Sequence, residues 1–169
     1  MKNLFILLIT VIVLQSCTSP VVPLKGKYQV GSVKSKINHP VDSVWEAVID
    51  YIADNGVSVK TIDKSCGLII ADVLSFGGLL SQEDNKGNLI NPGAFIVVER
   101  SSQDSPGKDV RHGAVAQWNL RVKADSDNTS IVIVNLHSIR VDKGIVSLTG
   151  QSTGNMEKMI INDIIDGIR

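Results

Sequence analysis

The residues with the broadest chemistry in this 169-residue chain are three histidines and two cysteines. A zinc site of the His-Glu-x-x-His kind needs two imidazoles one helical turn apart. His39, His112 and His137 are widely separated and none adjoins Cys66. His39, ahead of Pro40, reads as the residue leading into a helix, His112 as a loop residue, and His137 as a packed or cross-strand residue. A reactive cysteine needs a cationic, partly exposed setting that favours its thiolate. Cys66 has Lys64 nearby in sequence but is flanked by Ser65 and Gly67, and it reads as a small, half-buried residue at a turn. Asp84-Asn85-Lys86-Gly87-Asn88 lacks the alternating ligands of a calcium loop, and Phe95 stands where that loop needs glutamate. Gly77-Gly78 and Gly150 with Gly154 do not continue into the Gly-Lys-Ser/Thr of a phosphate cradle. No nucleophile, base and oxyanion donor come together in the sequence. The expectation is a non-enzymatic protein with no catalytic, cofactor or metal residues. Trp45 and Trp118 lie on the apolar sides of their elements and read as core.

Cys17 has a different context. Lys2 is the only charge before it, and Leu4 to Leu14 is apolar apart from Thr10. Such a stretch covers about half of a ~30 Å hydrocarbon core, too little for a transmembrane helix and suited to a signal peptide. It closes on Leu14-Gln15-Ser16-Cys17. This resembles the lipobox of bacterial lipoproteins. The resemblance implies cleavage after Ser16, acyl chains such as palmitate on Cys17, and a durable membrane anchor, since each buried methylene adds about 0.8 kcal/mol and one chain alone holds only marginally. Thr18 stands where many Gram-negative lipoproteins retained at the inner membrane carry aspartate, so the resemblance points to the outer membrane, facing the periplasm.

Cleavage there leaves 153 residues with a net charge of −1, because Lys2 leaves an otherwise even balance. That length predicts one domain with a core of its own. Nucleic-acid binding needs a dense basic face, and no two basic residues adjoin anywhere. With Cys17 given to lipid, Cys66 has no internal disulfide partner.

Residues 1–16 read as signal peptide, 17–31 as a lipidated tether rich in proline and glycine, and 32–169 as one domain. Within it, Ser32 to Asn38 is a strand candidate. Pro40 suits the first turn of a helix whose apolar stripe runs through Val41, Val44, Trp45, Val48, Ile49 and Ile52. Ser43 and Glu46 have capping-box spacing, which allows a slightly later start. Gly56 suits the helix end. Val57–Ile62 and Leu68–Leu74 form a hairpin about the turn at Asp63–Gly67. Ala94–Arg100 is a strand. Ala114–Ala124 alternates cleanly between apolar and polar, turns at Asp125–Asn128, and returns as Thr129–Val141. Lys143–Gly154 reads as a glycine-punctuated crossing. Met156–Ile168 reads as a closing helix with a wide apolar face. Residues 75–93 and 101–113 read as long loops, the segments where a contact surface is expected.

The fold this predicts is α+β, with an antiparallel sheet of about five or six strands on a C-terminal helix and one helix after the first strand. The order looks like the helix-grip arrangement of START-type domains. Pro40-Val41-Asp42-Ser43-Val44-Trp45-Glu46-Ala47, then Val59–Asp63, Ser65, Gly67, Leu68 and Ile69, is similar to the tandem domains of a lipoprotein component of the outer-membrane β-barrel assembly machinery. That likeness spans residues 31–74 and implies an envelope protein that works by contact with another protein. The helix-grip likeness implies an alternative, a small-molecule or lipid cavity between the sheet and the final helix.

Overall fold

The computed structural model describes residues 21–28, 31–76, 79–102, 105–106, 113–143 and 146–168. The signal peptide, Cys17 and His112 lie outside them. The described elements, in chain order, are β1 (Val21–Val22), β2 (Val33–Ile37), α1 (Val41–Asp54), β3 (Val59–Asp63), β4 (Leu68–Ala71), β5 (Leu74–Phe76), β6 (Leu80–Ser81), β7 (Ile96–Val98), β8 (Arg100–Ser101), β9 (Ala114–Ser126), β10 (Thr129–Lys143), β11 (Val146–Ser152) and α2 (Asn155–Gly167).

The fold is α+β, as the sequence predicts, with most of its strands antiparallel. Nine described strands form one sheet in the order β3-β4-β9-β10-β11-β7-β6, with β2 also on β10 and β5 also on β9; β1 and β8 pair separately. The expected five or six strands are too few. Segments without clean alternation still pair: residues 75–93 hold β6 and most of β5, and the crossing after Lys143 is β11. Such short strands are fixed by their neighbours more than by their own pattern.

The long hairpin of β9 and β10 is the backbone of the molecule. Ala114, Ala116, Trp118, Leu120 and Val122 of β9 are buried, and so are Val132, Val134 and Leu136 of β10. Both helices cover this face and touch each other, α1 over β9 and β10, α2 over β10 and β2. β10 hands its other side from β2, at Ser130–Val134, to β11, at Arg140–Lys143. Ser138 takes a left-handed φ of 53° where the β9–β10 register slips.

α1 begins at Pro40, which occupies the N-cap without a side-chain bond, so the capping box expected of Ser43 and Glu46 does not set the start. Gly56, just past the end, has φ 59°, the left-handed conformation glycine adopts without strain. α2 starts from a polar knot. The Thr153 hydroxyl donates to the Ala94 carbonyl at 2.6 Å, and the Asn155 amide side chain to the carbonyls of Pro92 and Ala94 at 3.0 Å. Glu157 is wholly buried, with the Ser152 hydroxyl 2.7 and 2.8 Å from its two carboxylate oxygens. No described helix is long and apolar enough to cross a membrane.

Candidate functional site

The main cleft lies where α1 begins, beside the β3–β4 turn and the far end of β9. Its volume is about 380 Å³. α1 contributes Val41, Asp42 and Trp45, the turn contributes Lys64 to Gly67, and β9 contributes Arg121 to Ala124. This falls in the size range of small-ligand pockets.

The turn is shaped by its own polar groups. Asp63 Oδ1 accepts from the Ser65 amide at 2.9 Å, the Ser65 hydroxyl at 2.6 Å and the Cys66 amide at 3.3 Å. The Ser65 hydroxyl, with the Cys66 thiol and amide, holds the Asp63 carboxyl below its ordinary range. Gly67 has φ +65°, and a Cβ there would lie 2.0 Å from the Val122 carbonyl oxygen. Only glycine lets the turn lie this close to β9, where the Val122 amide donates to the Gly67 carbonyl at 2.9 Å.

The charge lining the cleft is mostly positive. Lys64 pairs with Asp42 at 3.0 Å across it. The Arg121 Nε donates to the Cys66 carbonyl at 3.3 Å, which leaves the paired Nη groups of the guanidinium pointing elsewhere. Among the described residues, neither Arg121 nor Lys123 has a carboxylate partner. Cys66 is exposed on this rim, not half-buried as its neighbours in sequence suggest, because the turn lifts it off the sheet.

The histidines do not join it. The His39 carbonyl accepts from the buried Ser130 hydroxyl at 2.8 Å, and His137 Nδ1 lies 3.0 Å from the Ser138 hydroxyl. The carboxylate of Asp84 is spent on its own turn, accepting from the amides of Lys86 and Asn88. Among the described residues no three His, Cys, Asp or Glu side chains are placed to hold a metal ion. Trp45 and Trp118 are core residues, and the indole N–H of Trp118 is buried without a partner. The apolar face of α2 is filled: Met156, Ile160, Ile161 and Ile164 are buried in the core cluster. The main opening lies at the other helix.

A second built feature concerns residues 21–28, within the expected tether. Glu83, 7% exposed, accepts from the Lys25 amide at 2.8 Å, the Gly26 amide at 2.7 Å and the Tyr28 hydroxyl at 2.6 Å. β1 also pairs with β8. This part of the chain is docked on the domain, not free beside it. Nothing local in the sequence marks Glu83 for that role, since Glu83-Asp84 reads as a solvated acidic pair. Burial pushes the Glu83 carboxyl up, but the Tyr28 hydroxyl and the two amides outweigh it and hold the group below its ordinary value. Burial and then the Glu83 contact push the Tyr28 hydroxyl far above its own.

No family model matches the chain, and no curated protein matches it. Similar solved structures include a DUF4468 family protein from Bacteroides ovatus, 8% identical with a TM-score of 0.37, over 87% of this chain and 83% of that one. A conserved protein from Geobacillus kaustophilus is 13% identical with a TM-score of 0.32, over 82% of this chain and 91% of that one. The Zhui aromatase/cyclase from a Streptomyces species is 10% identical with a TM-score of 0.27, over 80% and 82%. Likeness at this level says nothing of what the chain does.

Proposed function

We propose that this chain is a non-enzymatic lipoprotein of the bacterial envelope, anchored through Cys17 and acting by contact with another envelope protein. The observation that carries this reading is the docking of residues 21–28 by Glu83 directly after the lipobox. Thr18, Ser19 and Pro20 alone separate Cys17 from β1. Fully extended, that connection spans at most about 14 Å. An anchor at Cys17 therefore presents the domain close to the bilayer at a nearly fixed height. Such presentation suits a standing contact within an assembly.

Two experiments test this reading. Metabolic labelling with a clickable palmitate is expected to mark the wild type and Cys66→Ser and to miss Cys17→Ser; label retained in Cys17→Ser removes the anchor. Photo-crosslinking in intact cells, from probes at Asn85, Ser65, Ala124 and Met159, is expected to give a reproducible protein adduct. Adducts to lipid alone, or none at any position, sink the contact reading.

A further inference from the structure

β9 outruns its neighbour. β4 stops at Leu68, opposite Arg121, and the last bond between the two sides is from the Val122 amide to the Gly67 carbonyl. β9 continues to Ser126 with β10 on its far side only. Backbone groups two residues apart on a strand point the same way. The amide and carbonyl of Ala124 therefore face the side that β4 has left, and Ala124 lines the cleft. An open strand edge of this kind is a template for another strand.

We infer that this cleft docks an extended acidic segment of a partner protein, which adds a short strand to the open β9 edge and sets a carboxylate against Arg121 and Lys123. This rests on the protein-contact reading above and names the chemistry of the contact. Three observations select the occupant. The open edge calls for an extended backbone, as in recognition by strand addition. Arg121 keeps its Nη pair free for a carboxylate, in the geometry that bidentate pairing uses, and Lys123 stands two residues along the same strand. Trp45 and Val41 give an apolar wall for a side chain of the incoming segment. The positive charge is local, since the whole chain carries none in excess.

The test uses the full chain in intact cells, with a benzophenone photo-crosslinking residue at Ser65 or Ala124 in the cleft and, separately, at Met159 on the exposed face of α2. The expected result is an adduct from both cleft positions to one partner, with a crosslinked peptide that carries Asp, Glu or a C-terminal carboxylate. Lys123→Glu is expected to lower that yield by about tenfold, the loss of roughly one charge-assisted bond, and Lys158→Glu on α2 to leave it unchanged. Arg121→Gln, which removes charge at similar size, is a second variant, and each variant is matched to wild type by protease resistance. Adducts from Met159 without any from the cleft overturn this inference and leave the contact reading standing. The inference falls equally to cleft adducts that are lipid, that map to a peptide without a carboxylate, or that are indifferent to Lys123→Glu and Arg121→Gln. No adduct from any position overturns both.

Discussion

At the scale of single residues, two carboxylates carry unusual weight. Glu83 holds residues 25–28 through three charge-assisted bonds, so Glu83→Gln is expected to destabilise that segment by about 1.5–3 kcal/mol. Its pH dependence has a definite sign. The folded carboxyl titrates below its ordinary value of 4.5, so its stabilisation is fully present above that value and is lost as pH falls through 4.5 towards the lower folded value. Hydrogen exchange at the Lys25 and Gly26 amides, corrected for intrinsic rates, is expected to speed up over that interval in the wild type and to be fast throughout in Glu83→Gln. Protection that does not change between pH 6 and pH 3 contradicts the assignment. Glu157 is the second case. It is wholly buried, and the Ser152 hydroxyl is its one side-chain partner among the described residues. Ser152→Ala strands that carboxyl and is expected to lower unfolding free energy by about 3 kcal/mol in denaturant titration. Ser152→Ala in a Glu157→Gln background is expected to cost less, because no ionisable group is then left buried alone.

At the scale of elements, the β3–β4 turn shows how one residue sets the shape of the cleft. Gly67→Ala puts a Cβ against the Val122 carbonyl at a left-handed φ, so it is expected to cost about 2 kcal/mol or more and to lower the thermal midpoint. An unchanged midpoint places the turn elsewhere. The same turn marks what can be read from sequence. The two helices and the β9–β10 hairpin were legible because their apolar residues repeat at 3.6 and at 2 over many positions. Val146–Ser152 has glycine near its centre and no such run, and its pairing is decided by β10 and β7. The cleft was illegible for a related reason. Asp42, Lys64 and Arg121 come from three elements far apart in sequence, and each alone reads as a solvated surface charge. Cys66 drew attention as a thiol, whereas its backbone carbonyl, which orients Arg121, is the part that the cleft uses.

At the scale of the whole molecule, the docked residues 21–28 change what the lipid anchor does. A flexible tether would let the domain sample many heights and angles above the bilayer, and composition alone, with Pro20, Pro23, Gly26 and Gly31, suggests one. Composition cannot show that the Gly26 amide is held by Glu83, or that a Cβ at Gly26 would lie 2.8 Å from the Tyr28 ring. Inserting ten Gly/Ser residues between Pro20 and Val21 separates the two possibilities. The insert adds a root-mean-square reach of about 17 Å without touching a described contact. The thermal midpoint is expected to stay within the error of measurement, since loop lengthening at an exposed terminus has little to break. The yield of protein adducts in intact cells is expected to fall, because the cleft is no longer delivered at one height. If the yield holds, docking of residues 21–28 matters to the fold alone, and the lipid then serves only to keep the protein at the membrane.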